Sequence, residues 1–327
     1  MSEPSHDQPI DDTAKAPVGG GVSVRRVVVT LIEFIVVGGI GLALYSRRGQ
    51  LASTLDLNVL DVVAVYVFCL AAAPLRAIEF SSVTRALGVP LSFAESFALT
   101  QAATLLNYLP MQAGTVLRAR VLKQKRALSY TRYVAVMSAL AVVGVGSGAV
   151  DGLVALPFAR ALPEHIRQAT GIGFGIVIGS VIVFLFLPFE RMPLGDGRLA
   201  RRVRELVEGW QAIKGHPRVL LTICLTTAAT PLLLGLRLWM CFGALDLPVG
   251  LAEAVLLGAA ILVSVPFNVT PGGLGVRELV GSAVGAAVGL GFAEVLAGIT
   301  IDRVISLVFS TTVGGGSLAW LRRRGLA

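Results

Sequence analysis

Residues 250–292 read GLAEAVLLGAAILVSVPFNVTPGGLGVRELVGSAVGAAVGLGF, two apolar arms around a break between Asn268 and Gly275. Pro271 and the glycines that follow it end an α-helix, because proline lacks an amide hydrogen and glycine favours turns. Each arm is too short to be a separate span, since a helix needs roughly 20 residues to cross a bilayer. The stretch therefore predicts a re-entrant helical hairpin, whose broken backbone must be covered by protein or line a watery cavity.

Longer apolar runs on both sides predict that the whole chain is an all-α polytopic membrane protein. Hydrophobic residues make up 55% of its 327 residues and charged residues only 15%, whereas soluble domains carry about 25% charged residues. The runs have the length of helices rather than of barrel strands. About six full transmembrane helices are expected, near 27–45, 60–78, 132–156, 170–188, 219–243 and 303–320.

A second re-entrant hairpin is expected at 91–109, an apolar stretch interrupted by polar side chains such as Glu95 and Gln101. That composition is too polar for a helix that faces lipid.

Residues 1–24 are polar and contain several prolines, which predicts a disordered cytoplasmic tail. Residues 25–325 remain as one transmembrane domain.

The basic residues set the predicted orientation of the chain. If both hairpins return to their own side, the basic clusters at 118–132, 191–218 and 322–324 fall in cytoplasmic segments, as the positive-inside rule requires. Both termini are then cytoplasmic, and residues 197–213 form either a cytoplasmic amphipathic helix or a solvated linker. The net charge of +8 comes mainly from these segments, so it orients a membrane protein and predicts no nucleic-acid partner.

The two halves of the chain resemble each other in sequence, with repeat one at about 27–156 and repeat two at about 170–320. Each repeat crosses the membrane an odd number of times, so the second must be inverted relative to the first, an arrangement typical of secondary transporters. An ancestral repeat in a protein that moves nothing is the alternative. Three matching pairs are 161 residues apart: Arg76 with Arg237, Pro110 with Pro271, and Gly114 with Gly275.

Candidate substrate-binding residues lie at the two hairpins and at the predicted end of the second span. A helix that stops at proline and glycine leaves backbone groups free for a ligand, and an adjacent arginine can hold a phosphate or carboxylate at two points. Snorkelling of arginines to the membrane surface is the alternative interpretation. The candidates are Arg76, Glu79, Asn107, Pro110, Gly114, Arg118, Arg237, Asn268, Pro271, Gly272, Gly273, Gly275, Arg277 and Glu278.

Glu33, Asp302 and Arg303 lie in or at predicted spans, where acidic groups can relay protons. An ion pair that only holds helices together is the alternative. We expect no metal and no cofactor, because the three histidines are scattered and the three cysteines lie in apolar runs. The sequence contains no P-loop and no convincing nucleophile–base pair, so we expect that the chain is not an enzyme.

Two motifs carry a resemblance to a known family. They are Asn107-x-x-Pro110-x-x-x-Gly114-x-x-x-Arg118 in the first half and Pro271-Gly-Gly-Leu-Gly275-x-x-Glu278 in the second. Together they resemble the lysylphosphatidylglycerol synthase transmembrane-region family, also called flippase-like, over about residues 25–325. The resemblance implies an inner-membrane protein of bacteria or archaea that is associated with lipid translocation, with the polar residues of both motifs contacting the substrate. Fused members carry an aminoacyl-transferase domain after the membrane region, and we expect a stand-alone member without it.

Together, the repeat, the polar candidates and the resemblance predict a lipid flippase-like secondary transporter of the bacterial inner membrane, whose partners are membrane lipids with an anionic headgroup. Two alternatives belong to other functional classes. One is a non-catalytic membrane partner of a lipid- or glycolipid-synthesis complex, which co-purification without transport would favour. The other is an intramembrane lipid-modifying enzyme, which would require a nucleophile–base pair.

Overall fold

The computed structural model describes residues 58–108, 113–126, 130–186, 197, 203–204, 207, 209–211, 213–265, 276–287 and 289–326, and within them it contains helices and no strands. The helices are α1 (Val59–Ala86), α2 (Phe93–Leu106), α3 (Ala113–Arg126), α4 (Tyr130–Ala155), α5 (Glu164–Phe186), α6 (Pro217–Gly243), α7 (Leu251–Val263), α8 (Val276–Ala287), α9 (Phe292–Phe309) and α10 (Gly315–Arg323). A 3-10 turn, Leu156–Phe158, extends α4, and a π turn, Ser310–Gly314, joins α9 to α10. The predicted all-α class is confirmed for these residues.

Four helical segments are long and apolar enough to cross a membrane. Large apolar side chains point outward from them, among them Val63 of α1, Ile176 of α5 and Leu225 of α6. Such an exterior suits lipid rather than water, which confirms the multi-pass membrane class. The predicted span at 27–45 lies outside the described residues, so the number of six spans stays a prediction. The four segments are Val59–Ala86, Arg132–Phe158, Glu164–Phe186 and Pro217–Gly243.

The first predicted hairpin is wrong in its limits. Most of 91–109 forms the single helix α2, and a second short helix, α3, follows and packs against it. Ser92 and Glu95 start α2 with a capping box, in which each side chain accepts a hydrogen bond from the other residue's amide. Glu95 is therefore a helix cap, and the predicted basic loop at 118–132 is largely α3.

Two other limits differ from prediction, and a third segment adopts one of its two predicted forms. Helix α1 continues to Ala86, so Arg76 and Glu79 lie within it and not at its end. The last helical run begins at Phe292 rather than near 303 and carries charged residues in its first half. The described residues of 203–214 are helical, and Ile213 is buried in the core of the first half. This segment thus packs on the bundle, which excludes a solvated linker at that point.

The same helix order occurs twice along the chain. A long helix, two short helices and a second long helix form α1–α4, and α6–α9 repeat that order with α10 as an extension. The long helices α1 and α6 pack against each other. The short helix α7 packs on α4 of the first half, while α2 packs on the π turn and α10 of the second half. Each half therefore places one short helix, α2 or α7, against the other half.

Candidate functional site

A cavity of about 330 Å³ lies between helices of both halves. Arg76, Glu79 and Phe80 of α1 line it together with Arg118 of α3 and residues of α2, α4, α6 and α7. The wall thus combines charges and hydroxyls with a broad apolar surface. The other lining residues are Thr100, Met137, Leu140, Ala141, Gly144, Val145, Thr227, Thr230, Leu262 and Val265.

Arg118 reaches this cavity because α3 begins against the end of α2. A β-carbon at Gly114 would collide with the carbonyl of Ala103 and stand 2.5 Å from Oδ1 of Asn107, so only glycine allows this approach. One turn later, the Arg118 guanidinium lies 5.2 Å from the ring centroid of Phe80 and its Nη2 donates to the Thr100 carbonyl at 3.4 Å. The buried Nε of Arg118 has no acceptor among the described residues.

Arg76 and Glu79 are one helical turn apart on α1 and share one face of it. Glu79 interacts electrostatically with Arg76 and with Arg118, although at longer range than a contact ion pair. Among the described residues none forms a hydrogen bond or a contact ion pair with Arg76. Within the described residues, the Arg76 guanidinium therefore lines the cavity with donors that no acceptor occupies.

The second half contains a tighter arrangement around Asp302 of α9. Arg237 of α6 donates to one carboxylate oxygen at 2.5 Å, and Arg277 of α8 donates to the other at 2.6 Å. Arg237 also donates to the hydroxyl of Ser306. Asp302 is completely buried, whereas the arginine side chains keep 13% and 19% of their surface exposed. One carboxylate thus joins three helices.

The next residue, Arg303, extends this network toward the first half. Its Nη1 lies 3.4 Å from Oε1 of Glu278, and its guanidinium lies 5.8 Å from the ring centroid of Tyr108, which follows α2. Consecutive residues of α9 therefore hold different neighbours. Asp302 binds α6 and α8, while Arg303 contacts α8 and the end of α2.

Among the described residues, the charges of this region do not cancel. Arg76 interacts electrostatically with Arg118, Arg237 and Arg277, so charged residues of the two halves act on each other. Five arginines face three carboxylates in this part of the described structure, which leaves two positive charges in excess. Uncompensated charge inside a membrane protein is costly and marks sites that bind or move charged species. The five arginines are Arg76, Arg118, Arg237, Arg277 and Arg303, and the three carboxylates are Glu79, Glu278 and Asp302.

The structure brings together all the charged candidates that it describes, and it places Asn107 and Gly114 at the contact between α2 and α3. The sequence prediction missed the cavity hydroxyls of Thr100, Thr227 and Thr230, and also Ser306. The closely spaced threonines of α6 were a usable signal, since hydroxyl side chains in membrane helices favour the surfaces that pack against other helices. Candidates outside the described residues are Glu33, Pro110, Asn268, Pro271, Gly272, Gly273 and Gly275.

A family model described as the lysylphosphatidylglycerol synthase TM region matches residues 27–314. This match includes every described helix up to the π turn. Neither a curated protein nor a solved structure matches the chain.

Proposed function

The chain belongs to the lysylphosphatidylglycerol synthase transmembrane-region family, and from this premise we propose that it binds a lipid with an anionic headgroup and carries it across the membrane. The observation that carries the proposal is the cavity lined by Arg76 and Arg118 on one part of its wall and by apolar side chains of α4 on another. An anionic lipid offers both matching surfaces, a charged group and a hydrocarbon chain.

The size of the cavity supports a headgroup as the occupant. A volume of about 330 Å³ is at the lower end of the range for small-molecule pockets, which runs from about 300 to 1,000 Å³. The headgroup and the first carbons of a lipid fit this space, whereas the rest of the acyl chains has to stay in the bilayer. Arg118 is already held over Phe80, so little side-chain entropy is lost when it binds an anion.

The repeated helix order supports a transport mechanism in which the two halves rock around the central site. In this proposal the halves form an inverted repeat, α2–α3 and α7–α8 are re-entrant hairpins, and both termini lie in the cytoplasm of a bacterium. The contacts that the halves exchange through α2 and α7 would let a movement of one half change the cavity of the other. The chain then acts as a carrier, possesses no catalytic step of its own and can work beside lipid-synthesis enzymes.

Translocation of a fluorescent phosphatidylglycerol in reconstituted vesicles tests the proposal. Arg118→Gln is compared with Arg120→Gln, which removes the same charge from an exposed position of the same helix. Hydrogen bonds to a charged group contribute about 1.5–3 kcal/mol, so Arg118→Gln should lower the initial rate roughly tenfold or more. Arg120→Gln should leave the rate unchanged. Equal rates for the two variants, or no translocation by the wild-type protein, would overturn the proposal.

A further inference from the structure

The Arg237–Asp302–Arg277 cluster has the form of an occupied anion site. We propose that Arg237 and Arg277 are a second binding site for the lipid phosphate, and that Asp302 is a tethered carboxylate that fills this site until the phosphate displaces it. The inference rests on the proposed function and assigns these three residues a definite part in it.

The geometry of the cluster supports an exchange between the two anions. Each carboxylate oxygen of Asp302 takes a hydrogen bond from a different guanidinium, at 2.5 and 2.6 Å. A phosphate group presents two oxygens in a similar way, and guanidinium groups bind carboxylates and phosphates alike. Asp302 therefore occupies the positions that two phosphate oxygens would take.

The arginines also have donors to spare. Nε of Arg237 and Nε of Arg277 are buried and have no acceptor among the described residues. Two guanidinium groups face one carboxylate, so the cluster retains a positive charge when Asp302 is bound. Both arginines keep some exposed surface while Asp302 has none. The arginines are therefore the part of the cluster that a ligand can reach.

The two halves differ in the way their arginines are occupied. Arg76 is the repeat mate of Arg237 and lines an open cavity, with Glu79 nearby but not in contact. Arg237 is bound to a carboxylate of its own chain. One half thus offers its arginines to a ligand while the other half holds an internal substitute, as expected if the phosphate is passed from one site to the other.

This assignment differs from a proton relay through Asp302. Both of its oxygens accept hydrogen bonds from guanidinium groups, and a guanidinium does not release its protons to a relay. The carboxylate then acts as a competitor of the ligand rather than as a proton carrier.

The test is the thermal unfolding of purified Asp302→Asn in detergent during titration with inorganic phosphate. Without phosphate the variant should unfold at a lower temperature than the wild-type protein, because two buried arginines lose their partner. Phosphate should restore stability, with a half-maximal concentration at least about tenfold below that of the wild type. Adding Arg277→Gln to Asp302→Asn should abolish this response. If Asp302→Asn responds no more than the wild type, or if the double variant responds equally well, the inference is overturned.

Two further arms keep the test decisive. Asp302→Glu retains the charge on a longer side chain and replaces Asp302→Asn in the test if that variant does not fold. Its displaced carboxylate should compete less well with phosphate than the native carboxylate does. A phosphate response equal to that of the wild type would overturn the inference. Titration with dioctanoyl phosphatidylglycerol distinguishes a lipid site from a site for soluble phosphate, since a response to phosphate alone overturns the lipid assignment. Translocation by the wild-type protein, measured in parallel, tests the proposed function separately from this exchange.

Discussion

Gly235 of α6 lies so close to Val255 of α7 that a β-carbon added at Gly235 would stand 2.6 Å from the Val255 Cα. The obstructing atoms include backbone, which cannot rotate away as a flexible side chain can. This contact sets the distance between the helix that carries Arg237 and the short helix that contributes Leu262 to the cavity wall.

The contact predicts that Gly235→Ala destabilises the protein although alanine favours helices. The overpacking should cost about 1–3 kcal/mol, more than the roughly 0.5–1 kcal/mol that alanine contributes in a helix interior. Gly243→Ala is the matched control, because a β-carbon there meets no atom within 4 Å. The measurement is the unfolding temperature in detergent, which should fall for Gly235→Ala and not for Gly243→Ala. A fall of the same size in both variants would contradict the packing argument.

The long helices were predictable because uninterrupted apolar runs fix their position. The runs at 132–156 and 219–243 differ by only a few residues from α4 and α6. Helix α3 was not predicted, since its basic residues indicated a loop under the positive-inside rule. Its leucine, arginine, lysine and glutamine residues are nevertheless strong helix formers. Charge alone therefore does not predict where a helix ends.

Gly144 of α4 predicts how the cavity can be closed without disturbing the fold. It lines the cavity, and a β-carbon at this position meets no atom within 4 Å. Gly144→Leu should therefore be well folded and should place its side chain in the ligand's space. A ligand that has to be accommodated against it loses about 1–3 kcal/mol, which corresponds to a decrease in translocation rate of roughly tenfold.

Gly173→Leu is the matched control for this substitution. Gly173 lies on α5, also meets nothing within 4 Å and does not line the cavity. Its translocation rate should equal that of the wild-type protein. If Gly144→Leu also transports normally, the lipid does not pass through this cavity.

The proposed topology predicts which side of the membrane each loop faces. Single cysteines are placed at Glu164 and at His216, both exposed, in a protein whose exposed Cys224 is replaced by serine. A membrane-impermeant maleimide should label position 164 in intact cells and position 216 only after permeabilisation. Labelling of position 216 from outside would contradict the proposed orientation.

The site could be predicted residue by residue but not as an arrangement. The sequence indicated Arg237, Arg277 and Asp302 separately, because charges in apolar segments stand out. Asp302 is 65 residues from Arg237 and 25 from Arg277, and no local pattern joins positions so far apart. Their meeting depends on the packing of α9 against α6 and α8. The sequence therefore predicts that these arginines belong to the site, but only the structure shows that both bind Asp302.

The last prediction concerns the guanidinium of Arg277. Arg277→Lys keeps the charge but loses the planar fork that grips phosphate at two points, so we expect an intermediate translocation rate. Arg277→Gln removes the charge as well and should lower the rate roughly tenfold, since hydrogen bonds to charged groups contribute about 1.5–3 kcal/mol. The fold should survive, because Asp302 still accepts a hydrogen bond from Arg237. Arg322→Gln, at an exposed position of α10, is the control and should transport normally. Normal transport by Arg277→Gln together with impaired transport by Arg322→Gln would show that basic charge at the helix ends, and not the buried cluster, governs movement of the lipid.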